Sequence, residues 1–215
     1  MFPLSPYNYF EIAALIASIF FWPKLKGTIF RWLLPFMIFI VSVEMYGRYL
    51  RNELRQPNAW LYNFSIPIEY LFYAMLFYFY HKKPVFRKIV LGFIILFTVF
   101  VGINFLIQGH QKMNTNMLKV GSFCMIILCC LVFTELLSTD RVINYIKDPI
   151  FWIATGVLLF NTGEFFYTLF SDYLIKNHLD KARKIFSTIN NKLIWVLYTC
   201  IIISMLCIRR KPRKV

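Results

Sequence analysis

The chain has 215 residues, of which 59% are hydrophobic, 20% aromatic and only 16% charged, and its formal net charge is +14. Soluble domains carry about 25% charged residues, so this composition argues against a water-soluble globule, which would lack the polar surface to cover itself. In a soluble protein the positive charge would point to nucleic acid; here Lys and Arg gather at the ends of apolar blocks, where they meet anionic lipid head groups and set topology, and nucleic acid is not an expected partner.

The apolar residues form blocks of roughly 18–22 residues, the length a helix needs to cross about 30 Å of hydrocarbon. Helices satisfy their own backbone in lipid, whereas barrel strands would show shorter alternating segments. The expected fold is therefore an all-α, polytopic transmembrane bundle in a single domain. The spans are predicted at about 8–22, 29–50, 62–80, 88–107, 118–137, 149–170 and 192–208. The first is the weakest, being short and containing Glu11. It has no basic residue before Lys24, unlike a cleavable signal peptide. Pro67 falls about one turn into the third span, where proline is tolerated. Between the sixth and seventh spans, Ile175, Leu179, Ala182, Phe186 and Ile189 recur at helical spacing, with Lys181, Arg183 and Lys184 on other faces. The segment 171–191 is thus expected to be an amphipathic helix, most simply the seventh helix starting early.

Orientation follows from the basic residues near span ends. One side receives Lys24, Lys26, Arg31, Lys82, Lys83, Arg87, Lys88, Arg141, Lys147 and the tail beginning Arg209, Arg210 and Lys211. The other receives a looser set that includes Arg48, Arg51, Arg55, Lys112, Lys119, Lys181 and Lys192. The denser side is assigned to the cytoplasm, which puts the N-terminus outside and the C-terminus inside, in a bacterial cytoplasmic membrane. Trp22, Trp60, Tyr62 and Trp152 fall at the predicted interfaces, as aromatic belts do.

Ionisable residues within spans are costly and usually have partners or a function. Glu44, Glu69 and Glu164 each fall six or seven residues from an outer span end, roughly 9–10 Å deep at 1.5 Å per residue. Glu11 lies on the same side, and Glu135 lies at the cytoplasmic end. Asn161, Glu164 and Thr168 share one helix face, and Glu44 and Arg48 are spaced to pair along the second span, with Arg51 and Arg55 continuing outward. Tyr70, Tyr73 and Tyr80 add hydroxyls on the third span. The expectation is a polar pocket in the outer half of the bundle, with Glu44, Glu69, Asn161 and Glu164 as its acidic floor and Arg48 and Lys192 as counter-charges. The competing view makes these residues interhelical glue, worth about 0.6–2 kcal/mol per hydrogen bond.

The five cysteines lie inside apolar blocks without metal-ligand spacing, and His81, His110 and His178 fall in connections. No zinc-hydrolase, nucleophile-elbow, phosphate-loop or dinucleotide motif occurs, so neither metal nor cofactor is expected. Helix count and orientation resemble small seven-helix bacterial membrane proteins and the seven-helix sensor modules that feed signalling kinases; such a likeness does not establish function. The favoured reading is a small membrane sensor or ligand-binding protein taking a small molecule, ion or lipid head group. It would contact membrane lipids and a separate protein partner at the cytoplasmic face, since no output domain is read in the chain. A lipid-modifying or lipid-hydrolysing enzyme using the buried glutamates is the second reading, with catalytic residues undefined. A structural subunit or oligomeric pore is the third.

Overall fold

A computed structural model of the chain describes residues 5–109, 113–138, 145–180 and 184–208, which are helical and contain no strand. The predicted positions of His110, Lys112, Arg141, Lys181, Ala182, Arg183 and the basic tail from Arg209 lie outside the described residues.

The helices are α1 (Pro6–Phe20), α2 (Trp22–Leu25), α3 (Leu33–Asn52), α4 (Ala59–Tyr80), α5 (Pro84–Gln108), α6 (Thr115–Leu137), α7 (Pro149–Lys176) and α8 (Lys184–Cys207). Local chemistry accounts for several boundaries. Pro84 and Pro149 open α5 and α7 at positions where a missing N–H costs nothing. Asn114 caps α6 by accepting the Met117 N–H at 3.1 Å, and Asp148 caps α7 by accepting that of Ile150 at 3.0 Å. Gly109, at φ 68°, ends α5 in a conformation that glycine adopts without strain.

Five segments are long and apolar enough to cross a membrane: Ile29–Asn52, Pro84–Gln108, Thr115–Leu137, Pro149–Ser171 and Ser187–Cys207. The first begins with a 3-10 turn, Ile29–Trp32, ahead of α3. Two of the seven predicted spans fall outside this set. Helix α1 has only 15 residues, and α4, with 22, is diluted by five tyrosines and by Asn63 and Glu69. Helix α4 also starts three residues earlier than the sequence indicates, which puts Pro67 inside the helix and removes its N–H from the ladder.

The segment 171–191 is not one helix. Helix α7 ends at Lys176, a turn follows in which His178 takes φ 56°, and α8 begins at Lys184. Asp180 fixes this turn: it accepts the Tyr167 hydroxyl at 2.9 Å and the Ile185 N–H at 2.7 Å. The apolar periodicity across the segment therefore spans the end of one helix and the start of the next. Similarly, Arg55 does not continue the Arg48–Arg51 face, because α3 stops at Asn52 and Arg55 sits at φ 51°.

Packing closes six helices into a ring: α1 lies on α3, α3 on α4, α4 on α6, α6 on α7, α7 on α8, and α8 returns to α1. Helix α5 sits outside, against α4 and α6, and buries only the narrow stripe Val90, Phe97 and Asn104. Its Ile95, Leu96 and Ile103 stay exposed on the face turned away from the bundle, as lipid contact requires. Glycines allow close approach at the seams. A side chain at Gly156 would strike Cys200 and Leu197 of α8, and one at Gly121 would strike the Tyr70 ring of α4. Small residues at such contacts are typical of packing in lipid, where close van der Waals fit replaces the hydrophobic drive.

At the end of the bundle where α4 passes to α5, a polar clasp joins α4 to α6. The buried His81 ring meets Glu135 through Nδ1 and Oε2 at 2.5 Å, and the other carboxylate oxygen accepts the Lys82 N–H at 2.8 Å. Sequence reasoning placed His81 in a loop and missed this partner, which only the α4–α6 contact provides. Glu135→Ala strands both donors, so it is expected to cost about 1–3 kcal/mol. A lower melting temperature in detergent, with Glu135→Gln falling between, checks this.

Candidate functional site

The polar residues of the ring helices converge inside it. Helix α1 turns Asn8, Glu11, Ala14 and Ser18 inward, a buried stripe at spacings of three and four, and leaves Ile16, Ile19 and Phe20 on its outer side. This reverses the usual pattern of an amphipathic helix at a water-facing surface and fits a helix between lipid and a polar interior. Asn8 Nδ2 donates to Glu11 Oε2 at 3.0 Å, and Arg48 Nη1 donates to Ser5 Oγ at 2.8 Å and to Asn8 Oδ1. Arg48, buried on α3, thus holds α1 by its N-terminal turn.

Glu44 lies on the same helix one turn earlier and accepts the Tyr62 hydroxyl of α4 at 3.3 Å. The cations acting on Glu44 are Arg48 and Arg51, and Tyr7 of α1 is within electrostatic reach of Glu44, Glu11 and both arginines. Asn58 Nδ2 donates to the Gly47 carbonyl at 3.0 Å and fixes the α3–α4 corner beside them.

Across the ring, Glu164 of α7 accepts through one oxygen from the Tyr70 hydroxyl at 3.0 Å and the Ser122 hydroxyl at 2.9 Å. Those two hydroxyls are themselves 2.9 Å apart. This three-cornered network joins α4, α6 and α7, and both of its hydroxyl-bearing residues are buried. Between the Glu164 and Glu44 groups stands Glu69 of α4, within electrostatic reach of Glu44, Glu164 and Glu11. Tyr198 of α8 reaches Glu11, Glu69, Tyr73 and Glu44. A side chain can approach groups on three other helices only from the interior, so these residues face inward and not toward lipid.

Glu44, Glu69 and Glu164 are half-buried as whole residues. Each of the six ring helices supplies a polar side chain to this set: Glu11, Glu44, Glu69 with Tyr73, Ser122, Glu164 and Tyr198 in chain order.

The sequence-derived site residues fare differently. Glu44, Glu69 and Glu164 are brought together, and Arg48 belongs with them, although its hydrogen bonds run to Ser5 and Asn8 of α1. Asn161 is buried and donates to the Val157 carbonyl of its own helix at 2.8 Å, while its Oδ1 finds no partner among the described residues. Lys192 is exposed, and Arg51 replaces it as the second cation near Glu44. Glu11, Ser122 and Tyr198 were passed over as site residues. The spacing Asn8–Glu11–Ala14–Ser18 was the available signal for the first; nothing in the sequence marks a single serine or tyrosine among many. A separate open groove of about 450 Å³ at the α7–α8 turn, lined by His178, Leu179, Asp180 and Lys184 among others, shares no residue with this cluster.

Compared with protein-family models, curated proteins and solved structures, the chain matches none.

Proposed function

We propose that this is a multi-pass protein of the cell membrane that holds a small ligand inside its six-helix ring. In this reading all seven long helices are embedded, including the short α1 and the tyrosine-rich α4, with the N-terminus outside and the basic turns and tail in the cytoplasm. The ligand enters from the outer side, and occupancy is signalled to a separate protein partner at the cytoplasmic face. The observation that carries the reading is Glu69, a carboxyl on α4 within electrostatic reach of carboxyls from three other helices of the ring. Polar groups convergent in a concave interior are the usual character of a ligand site, and ionisable residues in spans mark such sites by default.

A catalytic reading draws less support, because Ser122, the hydroxyl paired with Glu164, is fully buried and not presented to a substrate.

Reaction of a cysteine placed at position 69 tests the proposal. In a background lacking the five native cysteines and reconstituted in oriented vesicles, Glu69→Cys is expected to react with a small neutral methanethiosulfonate added on the outer side. Ile95→Cys, on the lipid side of α5, is not. Equal protection of both positions sinks the interior pocket; reaction from the cytoplasmic side alone overturns the orientation. Glu164→Gln is expected to alter occupancy or downstream output while the protein accumulates normally.

A further inference from the structure

The turn between α7 and α8 is not built like a water-facing loop. The two apolar spans that it joins end at Ser171 and begin at Ser187. Tyr173, Ile175, Leu179 and Ile185 fall between those limits, beyond the spans, yet each is 40–62% exposed. Apolar side chains left bare just outside a span are suited to the head-group layer of a bilayer and not to water.

Cations accompany them. Lys176 closes α7 and Lys184 opens α8, both exposed. Along α8, Lys184, Thr188 and Lys192 recur every four residues, and Ile185 and Ile189 recur on the face beside them. Lys192 lies within the apolar span, exposed on the same side of the helix as Val196. A lysine in that position keeps its ammonium out of hydrocarbon by reaching along the helix to the head groups. Helical side chains lean toward the helix N-terminus, which here is the turn, so Lys192 reaches toward the level of Lys184. Neither lysine forms an ion pair with a described carboxylate. Asp180 of the same turn is buried, and its two carboxylate oxygens serve the Tyr167 hydroxyl and the Ile185 N–H.

The groove of about 450 Å³ lies among these residues. Its wall is apolar at Leu179, Ile185 and Ile189, and Lys184 stands in it as an exposed cation. Its volume is that of a small-molecule site, about 300–1,000 Å³. A bare apolar wall with a cation beside it, at the end of a membrane span, is complementary to an amphiphile with a negative head.

We propose that this groove holds the head-group end of an anionic phospholipid. The Lys184 ammonium, reinforced by Lys192, pairs with the phosphate, and the glyceryl and upper acyl region lies on Leu179, Ile185 and Ile189. A phosphodiester keeps its charge at neutral pH, so the pairing is a charge-assisted one. A soluble phosphate would satisfy the lysines and leave the apolar wall wet, which is why the lipid is the better occupant. The inference rests on α7 and α8 crossing the membrane and is independent of the pocket inside the ring.

Native mass spectrometry of the full chain in dodecyl maltoside, titrated with phosphatidylglycerol and separately with phosphatidylcholine, tests this. One phosphatidylglycerol is expected to bind about tenfold more tightly than phosphatidylcholine, and Lys184→Gln to weaken that binding about fivefold, the worth of one cation near anionic lipid. Lys184→Gln combined with Lys192→Gln is expected to remove the preference for phosphatidylglycerol. Leu179→Gln, at an exposed turn position, is expected to weaken binding severalfold by wetting the apolar wall. Lys88→Gln, the same loss of charge in the first turn of α5, is expected to leave it unchanged. Equal binding of the two lipids overturns the proposal, and so does a preference for phosphatidylglycerol that survives the double lysine variant. Glycerol 3-phosphate separates the sources of phosphate: a large excess is expected to leave the lipid in place, and displacement of the lipid would assign the groove to a soluble phosphate instead. Loss of lipid selectivity in a protein whose position 69 still reacts from outside overturns this inference alone.

Discussion

Arg48→Ala is expected to release α1 from the ring and to lower stability by about 3–5 kcal/mol, the cost of removing one member of a buried charged network. The reasoning runs through what α1 lacks. It has 15 residues, its buried face is Asn8, Glu11, Ala14 and Ser18, and Ile16, Ile19 and Phe20 stay exposed. Its apolar packing is limited to Ala14 in the core, Phe10, Leu15 and Ala17 against it, and the stack of Phe10 on Trp195 of α8. Arg48 supplies the polar attachment by donating to Ser5 and Asn8, and Asn8 in turn donates to Glu11. Without the guanidinium, Asn8 loses its donor, Glu11 and Glu44 lose a counter-charge, and the N-terminal turn comes free. Arg48→Lys is expected to recover only part of the loss, since an ammonium cannot present two donors in the fixed geometry of a guanidinium. Thermal unfolding in detergent reads the energy. Alkylation of a cysteine at Ala14, fully buried in the ring, reads the opening of the helix. Unchanged melting and a still-protected position 14 would show that α1 is held by something else.

The second large effect is expected from adding a single methyl group. In Gly121→Ala the new carbon would lie 2.7 Å from Cδ2 and 2.9 Å from Cζ of the Tyr70 ring. Real side chains do not tolerate such contacts, so the ring or the α4–α6 seam must shift. Overpacking of this kind costs about 1–3 kcal/mol. Here the displaced ring also carries the hydroxyl that bonds Ser122 and Glu164, and a stranded buried polar partner adds about 1–3 kcal/mol more. The two contributions separate experimentally. Tyr70→Leu in the Gly121→Ala background relieves the clash without restoring the hydrogen bonds, so it is expected to recover part of the melting temperature. Full recovery would mean that the three-cornered network contributes little, and no recovery would mean that the clash is absorbed elsewhere.

How far the sequence reached differs from element to element. The long apolar helices were legible because bilayer thickness imposes a length and an excess of apolar residues that no soluble chain shares. The start of α7 at Pro149 was read correctly, but α5 begins at Pro84, four residues before the expected 88, because proline at the first helical turn costs no hydrogen bond. The segment 171–191 was misread because periodicity records which residues are apolar, not where the chain turns. The turn depends on Asp180 reaching Tyr167 and the start of α8, a contact absent from any local pattern.

The acidic site divides along the same line. Counting residues at 1.5 Å each yields one expected depth for Glu44, Glu69 and Glu164, because a helix rises by a fixed step per residue. Depth says nothing about direction around the helix axis or about which helices are neighbours. Closure of the ring through α1 decided that Glu11 and Tyr198 join the carboxyls, that Lys192 is left outside, and that His81 finds Glu135 at the other end. The sequence determined by itself that this is an all-helical chain of long apolar helices, since a slab of fixed thickness imposes both length and apolar content. Tertiary structure alone decided which helices are neighbours and which acids come within electrostatic reach of one another, because that depends on the rotation and adjacency of six helices, which spacing along the chain does not encode.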